Sequence, residues 1–215
     1  YPGVVLLHHM PGWDEWCCEA TRKFAHHGYA AVLPYLFNAF GPPEHMDDTI
    51  AKVRAGGGVP DKMIIGDAEG AARFLKAQPN STGKVGIIGF CSGGRQTALV
   101  ACNSQEFSAA VDCWGGRVVA PPETLTPAQP KAVIEMTPDL ACPLLGLFGN
   151  DDQAPSPEQV NQHEEALKAA GKTYEFHRYD GAGHGFFAVD RPAYRPVRAT
   201  DGWGKVFNWY DKYLK

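Results

Sequence analysis

No stretch of this chain approaches the roughly 20 consecutive apolar residues that a bilayer-spanning helix needs, and no charged-then-apolar leader precedes the first apolar run. A membrane role is therefore not expected, and the cytoplasm is the expected compartment. No basic stripe stands out either, and the formal net charge is -4. That balance argues against a nucleic-acid partner, which would need a cationic footprint. The six cysteines show no C-x-x-C spacing, so no zinc site, and no other metal, is expected. A chain of 215 residues can bury a core large enough to need no disulfide staples. Most of the thiols therefore read as small buried apolar groups. Internal repeats, low-complexity tracts and linkers are also missing. One domain over residues 1–215 follows.

What is present is an alternation of short apolar runs with helical ones. Val4–Leu7, Ala30–Leu33, Lys84–Ile88, Ala109–Trp114, Leu144–Gly149 and Thr173–Tyr179 read as strands. Asp14–His27, Asp47–Arg54, Asp61–Ala77, Arg95–Ala101, a segment opened by Ser156-Pro157-Glu158-Gln159, and a C-terminal stretch around Trp203–Leu214 read as helices. This alternation predicts an α/β fold with a mostly parallel central sheet and helices on both faces. Two long excursions, 35–60 and 115–141, are expected to wall a binding site rather than to form domains.

The sequence Gly89-Phe90-Cys91-Ser92-Gly93-Gly94 joins a strand to a helix. This is the G-x-Nu-x-G pattern of a nucleophile elbow, with cysteine at its centre. A motif centred on Ser92 would need glycine where Phe90 stands. A thiol nucleophile needs a base, and the base needs an orienting group. Asp151 and Asp152 follow the strand ending at Gly149, and His184 follows the last strand. Both loops lie at strand carboxyl ends, the edge that carries ligands in open α/β sheets. Ser92 is expected to offer its backbone N–H to an oxyanion.

Residues 83–94, 148–155 and Gly181-Ala182-Gly183-His184-Gly185-Phe186 together resemble the dienelactone hydrolase family, over nearly the whole chain. The resemblance implies an α/β-hydrolase fold without a large cap domain. It implies Cys91 as nucleophile, His184 as base and Asp152, at the third position after Gly149, as the orienting acid. No cofactor is implied. The substrate would be a small ester or lactone, with monomer and homodimer both open. The loop after the first strand would supply the Met10 N–H as second oxyanion donor. Two positions depart from the family: His9 stands where a glutamate is usual, and Ala188 where a substrate-site arginine is expected, with Arg191 nearby. The family's usual N-terminal antiparallel strands have no counterpart before Val4.

His9, Trp13, Tyr35, Phe37, Trp114 and Phe186 are expected to line an acyl pocket. Arg54 and Arg117 are candidates for a substrate carboxylate, whereas Arg95, one turn into the elbow helix, reads as structural. His8 and His9 look like a metal pair, but neighbours on a strand point to opposite faces. Two other functions fit the residues: a non-catalytic binding module on the same fold, and a thiol redox protein in which Cys113 resolves an oxidised Cys91.

Overall fold

The computed structural model describes residues 1–215. Six strands form one sheet: β1 (Gly3–Leu7), β2 (Ala30–Val32), β3 (Val85–Phe90), β4 (Ala109–Cys113), β5 (Leu144–Gly149) and β6 (Tyr174–Tyr179). Their order is β2-β1-β3-β4-β5-β6 and every pairing is parallel. Six helices cross between or follow them: α1 (Glu15–His26), α2 (Met46–Ala55), α3 (Asp61–Lys76), α4 (Ser92–Asn103), α5 (Pro157–Ala169) and α6 (Pro196–Leu214). No helix is long and apolar enough to cross a membrane.

The strands β1, β3, β4 and β5 are buried along their whole length. That is why they read as continuous apolar runs rather than as alternating ones. Alternation persists in direction, because successive side chains point to opposite faces. Val4 and Leu6 join Trp16, Phe24, Val206 and Tyr210 in one core under α1 and α6. Val5 and Leu7 join Ile64, Ala68, Leu99 and Val100 in a second core under α3 and α4. Each core gathers 25 buried residues, so the sheet is held equally from both sides.

Local signals fix the helix starts. Asp14 caps α1 by accepting from the Cys17 N–H at 2.9 Å. Ser156 and Gln159 form a reciprocal capping box at α5, with Pro157 at the first helical position. The final helix begins at Pro196, earlier than its aromatic stripe suggests, and Trp209 adds to its buried face.

Parallel strands all end at one edge of the sheet. The loops after β1, β3, β5 and β6 therefore converge there, and the long excursions rise beside them.

Candidate active site

The turn between β3 and α4 is strained by design of its neighbours. Cys91 has φ 57° and ψ −118°, a conformation that a residue with a side chain rarely adopts. Glycine at 89 and 93 makes it possible. A Cβ on Gly89 would collide with the Gly93 carbonyl, and one on Gly93 with the Leu7 carbonyl. Strand, helix and the end of β1 therefore meet at backbone distance, with Cys91 lifted at the apex.

The thiol faces His184 and the N–H groups of Ser92 and Met10. Burial disfavours the thiolate, but the hydrogen bond and charge of His184, then the two N–H groups, outweigh it and lower the Cys91 pKa. Burial equally opposes a charged imidazole. Hydrogen bonds to Asp152 and Cys91 reverse that and drive the His184 pKa upward.

Asp152 and His184 are held by loops that bond to each other. The Asp151 N–H donates to the Ala182 carbonyl at 2.9 Å. Asp152 is 3 % exposed; one of its oxygens accepts from the Ala154 N–H at 2.9 Å and the other lies 2.8 Å from His184 Nδ1. Asp151, by contrast, points into solvent. A carboxylate, an imidazole and a thiol of lowered pKa in line can carry nucleophilic chemistry. All three line a cavity of about 720 Å³.

A family model for the dienelactone hydrolase family matches residues 1–214. This chain belongs to that family. A provisionally named carboxymethylenebutenolidase of Methylorubrum extorquens is 34% identical over 99% of this chain and 72% of its own length. One from Escherichia coli is 32% identical over 99% and 77%. The crystal structure of a provisionally named dienelactone hydrolase from Klebsiella pneumoniae superposes with a TM-score of 0.89. It is 29% identical and covers 99% of this chain and 87% of its own. The chain is thus a hydrolase of the dienelactone hydrolase family with an α/β-hydrolase fold.

In this family member the two excursions meet to form the cavity walls. Thr126 Oγ1 donates to the Gly57 carbonyl and the Asp61 N–H, just past the first excursion, to the Ala128 carbonyl, both at 2.9 Å; Arg117 braces the second excursion from within by donating to the Thr124 carbonyl at 2.6 Å. Arg54 and Arg117 both line the cavity, and neither has a carboxylate within ion-pair distance. Arg95 also reaches it, but its guanidinium is held by Asp61 at 2.7 and 3.2 Å, tying α3 to α4.

Of the six aromatic and imidazole residues expected to line an acyl pocket, Phe37 does so. The other five are not among the cavity-lining residues, for different reasons. Trp114 and Phe186 are core residues, 2% and 0% exposed, packed at an angle to each other, with Trp114 edge-on to the His184 ring. Trp13 and Tyr35 pack against each other, with Trp13 exposed. His9 is not part of the cavity lining, and its Nε2 lies 2.6 Å from Asp14 Oδ2. Thr126, Gln129, Gln153 and the Gly57-Gly58 turn, which no local motif flags, line the cavity instead.

His9, Asp14 and Cys17 offer ligand atoms within 4.8 Å of one another. Asp14 Oδ2 already meets both His9 Nε2, at 2.6 Å, and the Arg191 guanidinium, at 2.9 Å. His8 is not a ligand candidate. Its Nδ1–H donates to the His9 carbonyl at 2.8 Å while its Nε2 accepts the Leu36 N–H at 3.1 Å, and burial lowers its pKa to about 4.

Proposed function

We propose that this protein hydrolyses a carboxylic ester or lactone by covalent catalysis, with Cys91 as nucleophile, His184 as acid and base, and Asp152 as the group that orients His184. The observation that carries this reading is Cys91 at the apex of a strained turn, sharing a cavity with His184, whose imidazole is anchored 2.8 Å from the buried Asp152 carboxylate; the lowered pKa of the thiol agrees with it.

The thiolate attacks the carbonyl carbon. The N–H groups of Met10 and Ser92 receive the oxyanion, each donor contributing about 3–4 kcal/mol in comparable sites. The carbon–oxygen bond breaks and the leaving alkoxide or enolate takes the proton of the His184 imidazolium. A thioester remains. Neutral His184 then removes a proton from water, hydroxide adds to the thioester carbonyl, and the carbon–sulfur bond breaks. Free acid leaves, and the thiolate–imidazolium pair is restored. A thiolate returns easily from a tetrahedral adduct, so activated carbonyls such as enol lactones, aryl esters and thioesters are favoured over amides.

The unpaired Arg54 and Arg117 support a substrate that carries a carboxylate, as the name carboxymethylenebutenolidase describes for the relatives. The binding arrangement differs from the family's usual one. His9 is engaged with Asp14, and Ala188 is buried in the core. All six cysteines are free thiols, which supports a reducing compartment such as the cytoplasm.

The test is a panel of enol lactones, aryl esters and acyl thioesters assayed with wild type and Cys91→Ala. Loss of turnover across the panel with an unchanged circular dichroism spectrum is expected. Retained hydrolysis of p-nitrophenyl acetate by the variant would overturn the assignment.

A further inference from the structure

The Met10 N–H belongs to the same planar peptide unit as the His9 carbonyl. Whatever fixes that carbonyl therefore fixes the direction of the N–H on the opposite side. Two donors hold the carbonyl: His8 Nδ1 at 2.8 Å and the Gly12 N–H at 2.9 Å. The His9 side chain is held as firmly. It is 5% exposed, its ring lies against Trp16, and its Nε2 lies 2.6 Å from Asp14 Oδ2. Trp16 in turn packs edge-on to Phe90, the residue before Cys91.

The Asp14 carboxylate is fully used. Its Oδ1 accepts the Cys17 N–H at the start of α1, and its Oδ2 meets both His9 and Arg191. Arg191 lies on the loop that carries His184, seven residues further on. Turns within that loop place it: the Arg191 N–H donates to the Ala188 carbonyl and the Ala188 N–H to the Gly185 carbonyl. Its bond to Asp14 spans 177 positions of sequence. It is the one side-chain hydrogen bond between the loop of His184 and the loop of Met10.

We propose that His9, Asp14 and Arg191 are positioning residues that aim the Met10 N–H and couple the oxyanion loop to the histidine loop. The proposal rests on the reading of Met10 as an oxyanion donor to chemistry at Cys91. In the resting protein the same N–H faces the thiol and helps to lower its pKa. The clamp therefore acts twice, on the thiolate before attack and on the oxyanion after it. Asp14 closes the turn that starts at His9: its N–H donates to the Gly12 carbonyl, and the Gly12 N–H in turn holds the His9 carbonyl. Releasing Asp14 from Arg191 unties that turn from the histidine loop and loosens the aim of the Met10 N–H.

The experiment compares Arg191→Met, Arg191→Lys and Asp14→Asn with wild type. Asparagine keeps a good helix cap, so Asp14→Asn separates the clamp from the folding of α1. Two readouts are taken: kcat and KM for p-nitrophenyl acetate, and the pH midpoint of Cys91 alkylation by iodoacetamide. Complete loss of an oxyanion donor lowers kcat by about 10²–10³-fold, and a donor swung partly aside should lower it by about tenfold. Arg191→Met and Asp14→Asn are expected to lose that much kcat with KM within about twofold. Their alkylation midpoint should rise, because an N–H donor stabilises the thiolate. Arg191→Lys should restore much of both. Wild-type kcat in both variants would overturn the proposal. So would a fall in kcat with no change in midpoint, which would mark a merely structural role. If Cys91→Ala keeps its activity, the underlying reading fails, whatever the Arg191 variants do.

Discussion

Cys91, Asp152 and His184 stand at the ends of β3, β5 and β6, whereas Arg54 and Arg117 stand on two excursions that meet through the Thr126–Gly57 hydrogen bond. The first group is floor. Its backbone is knitted into the sheet edge: Cys91 N–H to Cys113 O, Asn150 N–H to Tyr179 O, Asp151 N–H to Ala182 O. The second group is wall, with exposed arginines on residues 54 and 117 and paired loops between. Reacting groups must keep their geometry within fractions of an ångström. Groups that receive the remote part of a substrate need only reach it, and loops suit that purpose. The proposed function thus assigns chemistry and specificity to different parts of one cavity, and mutations should separate them.

The floor gives the largest effects. Asp152→Asn keeps the shape of the side chain but turns an obligate acceptor into a group that can present the wrong partner to His184 Nδ1. In a comparable triad this exchange lowers kcat by about 10⁴-fold. A similar loss is expected here, measured as kcat on an aryl ester, with KM little changed. A loss below about tenfold would mean that His184 is oriented by something else.

Thiol reactivity sharpens the contrast further. Burial raises the pKa of Cys102 and Cys142 to about 12, and it also raises those of Cys17, Cys18 and Cys113; only Cys91 is lowered. Iodoacetamide near neutral pH should therefore modify Cys91 first, by more than about tenfold in rate. The sign of its pH dependence follows from the shift. A free thiol loses rate about tenfold per unit below its pKa near 8.5, and for Cys91 that fall should begin at a lower pH. Peptide mapping that finds Cys18 labelled first would contradict this.

Wall substitutions should act on binding alone. Arg54→Met and Arg117→Met are each expected to raise KM for a carboxylate-bearing lactone by about tenfold, since a hydrogen bond to a charged group contributes about 1.5–3 kcal/mol. Neither should alter KM for a neutral ester, and kcat should stay near wild type for both. An equal fall in kcat on both substrates would place the arginines on the floor.

The same division explains what could be read from the sequence. The floor is coded locally: a strand, the Gly89-Phe90-Cys91-Ser92-Gly93 turn and a helix are contiguous, and Asp152 and His184 each follow an apolar run. Strand positions were legible because buried parallel strands leave unbroken apolar runs. The walls are not coded locally. Gly57 and Thr126 meet across 69 positions, and nothing in either segment announces the other. Arg191 and Asp14 were likewise unconnected in the sequence. Aromatic rings misled in the opposite direction, since Trp114 and Phe186 near the motifs served the core rather than the cavity. A flat apolar side chain fits either place, and only layer packing decides.

The smallest effect lies beneath the floor. Asp112, on β4, is completely buried under the first turn of α4. One oxygen accepts the Gly115 N–H at 2.7 Å and the other has no partner. Burial raises its pKa to about 7, against the pull of that single hydrogen bond. The native state therefore holds a proton that the unfolded chain, with an ordinary carboxyl near 3.8, has already released. Stability contributed by the protonated form is complete below 3.8 and falls as pH rises toward 7. Asparagine has the same shape, keeps the acceptor for Gly115 and carries no charge. Asp112→Asn should thus raise the melting temperature at pH 8 by a few degrees, as expected for about 1–2 kcal/mol in a chain of this size. The gap should close as pH is lowered toward 4, with hydrolytic kcat at neutral pH within about twofold of wild type. A gap that stays constant with pH would mean that Asp112 is not the titrating group, and a large change in kcat would extend the floor one strand further than the triad.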